Sequence, residues 1–319
     1  MRTLAEVGEK AAIDTILRRL DSSVVVGPGD DAAAIRVRKK LIVASTDIVS
    51  RVSHLPEVMT PKDIGWFVSA INFSDIAAMG ARPLGILLSF CLPGNYLLND
   101  LENIMEGAQE CALSIGTEIL GGDTKEGTDL VIAGSALGEV DEENILLRQG
   151  AKHGDLLAVT GTIGLASAGY VAAMNGYDSP EAINALIRPI PRIREGIALS
   201  ASGAVTSAID ITDGLAYSIH ELSNKSGVHF KINWDDIPIR SEVSSIAVDM
   251  KTSLDDMVLY YGGDYELLFT IRPHMVNRLR TVLRDRFSII GQAEGHENVL
   301  MRGEEVLHLE SRGYEHFKR

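Results

Sequence analysis

The sequence predicts a mixed α/β (α+β) fold of two domains, and three observations carry that reading. A chain of 319 residues is long enough for two hydrophobic cores. Each half holds apolar, β-branched runs of strand length beside segments whose apolar residues recur at helical spacing. Between the halves, "DEENILLRQGAKHGD" (Asp141–Asp155) is polar and punctuated by glycine, as a boundary should be. The domains are therefore expected at residues 1–147 and 148–319.

Taken in order, Leu4, Val7, Ile13, Leu17 and Leu20 fit one face of an N-terminal helix. "AAAIRVRKKLIVAST" reads as two strands, Ala33–Val37 and Leu41–Ser45, around a short basic turn. "TPKDIGWFVSAINFSDIAAMGARP" is a long helix, with Pro61 pre-set for its first turn and Gly80 and Pro83 beyond its end. Strand "LGILLSFCL", helix Asn99–Ile115 and strands "TEIL" and "LVIAGSALGEV" complete the first half. The second half begins with strand "LLAVT", then helices near Leu165–Met174 and Ile193–Ser202, strand "AVTSAIDI" and helix Leu215–Lys225. Strands "VHFKI" and "YELLFTI", helix Pro273–Arg284 and short strands at Phe287–Ala293 and Val306–Leu309 follow. Strands and helices do not alternate strictly, and no short internal repeat is visible.

Composition removes several classes of function. A formal net charge of −14 leaves no basic excess to displace counterions from DNA or RNA. No apolar run approaches the roughly 20 residues of a membrane span, and Met1–Lys10 lacks a secretory pattern, so a cytoplasmic protein is expected. Cys91 and Cys111 are the only cysteines and match no zinc or redox spacing. There is no HExxH, GxSxG or GxxxxGK[ST], which leaves zinc hydrolysis, serine acyl transfer and the P-loop unsupported.

The stretch "VVVGPGDDAAAI" (Val24–Ile35) formally matches a dinucleotide fingerprint through Gly27, Gly29 and Ala32, with Asp47 at the distance of a ribose-binding acid. Physical context argues against it. The residues that follow have strand character, where a helix N-terminus should face the pyrophosphate, and Asp30 and Asp31 would repel that anion. A second reading is a plain Gly-Pro-Gly-Asp turn. The third is a metal site, and the other acids favour it. Asp47 follows an apolar strand, and Asp75 sits in an otherwise apolar helix. Asp123 follows two glycines, while Asp210 and Asp213 lie between a strand and a helix. Asp264 and Glu266 sit in "YYGGDYELLF". Each has a structural alternative: Asp213 as a helix N-cap, Asp75 as a partner of Arg82, Asp123 as a turn cap. Together they form an oxygen-only donor set, which suits Mg²⁺ first and Ca²⁺ second. Bridging cations would let an acidic protein bind phosphates.

Eight segments, "GPGDDAAAI", "STDIVSRVSHLP", "SAINFSDIAAMGARPLG", "GGDTKEG", "LLRQGAKHGDLLAVTGTIG", "RPIPRIREG", "AIDITDGL" and "GGDYELLF", resemble in this order the thiamine-monophosphate kinase family. That family belongs to the superfamily named for aminoimidazole ribonucleotide synthetase. The resemblance runs from Leu4 to "GYEHF" and implies a two-domain aminoimidazole ribonucleotide synthetase-like fold, in which the N-terminal sheets of a homodimer pair into a barrel. It implies ATP-dependent phosphorylation of thiamine monophosphate to thiamine diphosphate with several Mg²⁺ ions. Matched by position, Asp30, Ser45, Thr46, Asp47, Asp75, Asp123, Asp210 and Asp213 are metal-binding. Gly122, Asp123, Arg148 and Thr212 touch ATP, and His54, Gly263 and Tyr314 face the substrate. Catalysis would be metal-assisted through Asp47, Asp75 and Asp123, with no general base. Nucleic acid and membrane are not implied as partners.

The chain departs from the family pattern at three places. "YGGDYEL" puts Gly263 where a substrate-contacting glutamate is usual, "TGTIGLASAG" puts Leu165 in place of an acid, and Tyr314 stands where tryptophan is common. The first and third fall on the organic part of the substrate. Among rival readings, the selenium enzyme of the superfamily needs a reactive residue near its N-terminus, and the first cysteine here is Cys91. A non-catalytic protein binding Mg²⁺ and ATP through the same acids is the alternative from a different class.

Overall fold

The structure, a computed structural model, describes residues 3–18, 24–27, 29–284 and 286–317. Leu20 and Pro28 lie outside the described residues. The N-terminal helix is two pieces, α1 (Leu4–Val7) and α2 (Glu9–Leu17), because Gly8 between them takes φ 79°, a left-handed value no continuous helix accommodates.

The first half forms an open five-stranded sheet in the order β1-β2-β5-β3-β4. Its strands are β1 (Ala33–Val37), β2 (Lys40–Ser50), β3 (Arg82–Leu92), β4 (Ile119–Glu126) and β5 (Val131–Asp141). All neighbours are antiparallel except β3 and β4. Helices α3 (Pro61–Ala78) and α4 (Leu98–Ser114) cover one face. Strand alternation then sorts the residues of β2: Leu41, Val43, Ser45, Asp47 and Val49 turn toward α3, while Ile42, Ala44, Thr46, Ile48 and Ser50 turn away. Both β2 and β4 run further than the sequence suggests, so Asp47 and Asp123 lie within strands.

The second half forms an open seven-stranded sheet, β12-β11-β8-β10-β6-β9-β7. These strands are β6 (Leu156–Thr160), β7 (Val205–Asp210), β8 (Phe230–Asn233), β9 (Leu267–Ile271), β10 (Phe287–Ala293), β11 (Val299–Arg302) and β12 (Glu305–His308). Helices α5 (Leu165–Asn175), α6 (Pro180–Ile187), α7 (Ile193–Ser202), α8 (Leu215–Ser226), α9 (Ser241–Asp249), α10 (Leu254–Leu259) and α11 (Val276–Leu283) accompany them. The short α6, α9 and α10 and strand β11 were not apparent in the sequence.

α3 joins the halves. Thr60 and Asp63 form a capping box at its start, and Pro61 occupies its first turn. It is buried on nearly all sides because it lies against β2 and β5, α4, α7 and β7. Its crossing with α4 is close: a Cβ on Gly65 would come within 1.8 Å of the Ile104 carbonyl oxygen, and one on Gly107 within 1.8 Å of the Lys62 carbonyl oxygen. One hydrophobic core therefore runs from Val43 and Ile132 through Phe73 and Ile76 to Ala208 and Phe269. A second core, around Phe230, Ile232 and Leu222, belongs to the seven-stranded sheet. No helix among the described residues is long and apolar enough to cross a membrane.

Candidate active site

α3 carries polar residues into an apolar setting, and each meets a partner from a different element. Ser74 donates to the Asp210 carboxylate at the end of β7. Asp75 accepts from the Ser45 hydroxyl of β2. One turn earlier, Asn72 accepts from the Asp47 N–H at 3.1 Å and donates to the Val68 carbonyl at 2.8 Å. Gly134 on β5, opposite Asp47, makes room for this, because a Cβ there would lie 2.3 Å from the Asn72 side-chain nitrogen. Asp75 therefore does not pair with Arg82, which instead binds Glu139.

The glycine turn delivers Asp30 and Asp31 to the same place. Gly29 takes φ 109°, and a bridge between Val26 and Ala34 folds the chain back into β1. Asp30 caps backbone groups, accepting from the Asp31 N–H at 3.0 Å and the Arg148 N–H at 3.3 Å. Asp31 is fully buried; its Oδ1 accepts from Arg148 Nε at 3.1 Å and Nη2 at 2.6 Å. Its Oδ2 is buried with no hydrogen-bond partner. One carboxylate oxygen each from Asp31, Asp75 and Asp210 lie within 4.8 Å of one another. Arg148, half-buried, also reaches Glu221 of α8 at 3.4 Å, so it pins the turn to the second half of the chain.

Electrostatics mark this cluster as short of positive charge. Burial pushes the Asp75 carboxyl well above its ordinary range, and Asp47, Asp210 and Asp31 push it further. Burial raises Asp31 against the pull of Arg148, and raises Asp47 against its hydrogen bond with Asp75. Asp210 is pushed up to about 6, chiefly by burial, with Ser74 and Arg148 opposing. Converging carboxylate oxygens, with the buried Asp31 Oδ2 left without a partner, fit a hard cation. Stability should respond to pH in a definite direction. Between the ordinary value of 3.8 and about 6, the folded state holds protons on Asp210 that the unfolded chain releases. Stability therefore falls as pH rises through that window. Without divalent cations, the thermal midpoint is expected to drop from about pH 4 to about pH 6, and a rising midpoint would contradict the arrangement.

Asp213 lies beside the cluster, in the turn before α8. The N-cap is Gly214, not Asp213. The Asp213 carboxylate, raised by burial, pairs with Lys10 of α2 at 3.5 Å, and its carbonyl accepts from the Tyr314 N–H at 3.0 Å. The Thr212 carbonyl accepts from the Gly263 N–H at 2.7 Å, where Gly263 takes φ 82°. His54 and His316 meet through their Nε2 atoms at 3.2 Å, and Tyr314 packs edge-on to His316 at 4.9 Å. Five residues singled out from the sequence face elsewhere. Thr46 is on the outer face of the sheet, donating to the Gly134 carbonyl. Asp123, exposed on the edge strand β4, holds Lys125 at 3.0 Å, and Gly122 packs against the Leu88 carbonyl. Asp264 accepts from the Gly164 N–H at 3.0 Å, and Glu266 is held by Arg192 and by Thr160 at 2.6 Å. The sequence left the role of Asp31 open and did not suggest Glu9, Asn72, Ser74 or His316. For Asn72 and Ser74 the signal was present, as polar residues inside an apolar helix.

This geometry can be compared with known proteins. Residues 29–140 match the N-terminal domain of AIR synthase related proteins, and residues 152–302 match the C-terminal domain. The thiamine-monophosphate kinase of Pyrococcus abyssi is 36% identical over 291 residues, covering 90% of each chain. The chain belongs to the thiamine-monophosphate kinase family. A second member, from Pyrococcus horikoshii, is 33% identical over 99% of this chain and 98% of its own. Among solved structures, AaThiL complexed with AMPPCP and TMP superposes with a TM-score of 0.88 at 26% identity, covering 99% of both chains. Family membership and the two matched domains account for the mixed two-domain fold.

Proposed function

We propose that the chain transfers the γ-phosphoryl group of ATP to thiamine monophosphate, releasing thiamine diphosphate and ADP. The observation that carries this reading is the convergence of carboxylate oxygens from Asp31, Asp75 and Asp210 within 4.8 Å of one another, with Asp31 Oδ2 buried and unpartnered, in a chain of this family. The similar AaThiL structure holds AMPPCP and TMP together, which fits a site for two phosphorylated ligands.

The acceptor is a phosphate monoester with a second pKa of about 6, so at neutral pH it is already a dianion and needs no general base. Its oxygen attacks the γ-phosphorus in line, the bond from that phosphorus to the β–γ bridging oxygen breaks, and ADP leaves with the electron pair. The chief obstacle is repulsion between two anions, and bound Mg²⁺ ions supply the neutralising charge. Asp75, Asp210, Asp31 and Asp47 would hold such ions, with Asp30, Ser45 and Asp213 at the margin. Arg148 would add a fixed cation near the triphosphate, and His54 and Tyr314 would line the ring end of the acceptor. Direct transfer inverts configuration at a chiral γ-thiophosphoryl group, whereas retention would indicate a phosphoenzyme. Phosphorus NMR of the protein with ATP, Mg²⁺ and thiamine monophosphate should show diphosphate signals growing with ADP. Loss of ATP without them would count against the assignment.

The working unit is proposed to be a cytoplasmic homodimer. The outer face of the five-stranded sheet presents Ile35, Ile48 and Leu87, exposed by 48%, 63% and 41%. A second copy packing sheet against sheet would bury them and close the barrel. It would also enclose Thr46 and Asp123, which lie on that face, and so give them access to nucleotide or metal. Ile48→Arg is expected to yield a monomer by light scattering, and an unchanged mass would reject this interface.

A further inference from the structure

Thiamine monophosphate is dipolar: a phosphate anion at one end, and a thiazolium ring whose positive charge is permanent and independent of pH. A site that reads the ring needs a negative group as well as aromatic surface. The "GGDYELL" loop places no side chain at Gly263, and its two carboxylates are engaged elsewhere. Asp264 is tied to the Gly164 N–H, and Glu266 to Arg192 and Thr160.

The N-terminal helix supplies what that loop lacks. Lys10 lies beside the carboxylate cluster, 3.5 Å from Asp213 and 3.1 Å from the centre of the Tyr217 ring. The preceding residue, Glu9, reaches the group formed by His316, His54 and Tyr314, proposed above to line the ring of the acceptor. Its Oε2 accepts from the His316 N–H at 3.1 Å, and the His316 ring touches both His54 and Tyr314. Among the described residues Glu9 has no ion-pair partner. Beside the carboxylate cluster the N-terminal helix therefore sets a plus, Lys10 on Asp213, next to a minus, Glu9 on His316, and such a pair complements a phosphate joined to a thiazolium. Resting on the kinase reading above, we propose that Glu9 is a specificity-determining residue that faces the thiazolium cation, held in place by the backbone of His316.

The test compares two acceptors, thiamine monophosphate and its neutral thiophene isostere, in the full-length protein. With the cationic acceptor, Glu9→Gln should raise KM about fivefold to tenfold, while kcat stays near the wild-type value. With the neutral isostere, wild type and Glu9→Gln should give the same KM, and Glu9→Asp should recover part of the preference for the cation. A purely structural role for Glu9 would weaken both acceptors alike, and that result, or an unchanged KM for thiamine monophosphate, overturns the inference. Unchanged AMPPCP affinity in Glu9→Gln confirms an intact fold. If the wild type turns over neither acceptor, the kinase reading fails and this inference falls with it. Turnover that ignores the charge at position 9 removes the inference alone.

Discussion

Asp31→Ala is expected to destabilise the folded protein by about 3 kcal/mol, the scale for removing one partner of a buried ion pair. The loss leaves the Arg148 guanidinium without the oxygen that accepts from both its Nε and Nη2, and Glu221 at 3.4 Å compensates only in part. Relief of repulsion with Asp75 and Asp210 works in the opposite direction, but burial has already driven those carboxyls toward the neutral form, so the relief is small. Urea unfolding without divalent cations measures the effect. A midpoint equal to wild type would mean that Arg148 does not depend on Asp31. Asp31→Asn, which keeps an acceptor oxygen, should lose less.

Asp75→Asn should have the opposite profile. Turnover is expected to fall on the order of 10³-fold, because Asp75 sits at the centre of the cluster and the amide removes a charge that a cation would use. Stability without cations should be unchanged or raised. Burial and like-charged neighbours already hold this carboxyl near its neutral form without cations, so a neutral amide in its place costs the cation-free fold little. A loss of activity accompanied by a similar loss of stability would assign Asp75 to the fold instead. Circular dichroism and steady-state turnover on the same preparation separate the two.

The site was legible in the sequence where local pattern forces the geometry. A charged residue at Asp75, in the middle of a largely apolar helix, announces a function, and α3 proves to be packed between both sheets. Asp210 was legible for a similar reason, at the end of an apolar strand. The pair Asp30 and Asp31 was not. Which of two adjacent acids turns inward depends on the register of the Val26–Ala34 bridge and on Gly29 at φ 109°, and the sequence names neither. The extent of β4 was hidden because "GGDTKE" lies exposed on an edge strand and shows no alternation. Helices α6, α9 and α10 are too short for periodicity to stand out, although Pro180 marks the start of α6. Glu9 could not be read at all, since its role depends on the two ends of the chain meeting, with residue 9 against residue 316.

The most direct measurement is product formation by purified protein from ATP and thiamine monophosphate, resolved by chromatography, with and without a chelator, for wild type and Asp75→Asn. The account predicts thiamine diphosphate and ADP in equal amounts from the wild type with Mg²⁺, and almost none after chelation or in the variant. ATP bound without thiamine diphosphate formed, or product that survives both chelation and loss of the Asp75 charge, would contradict it.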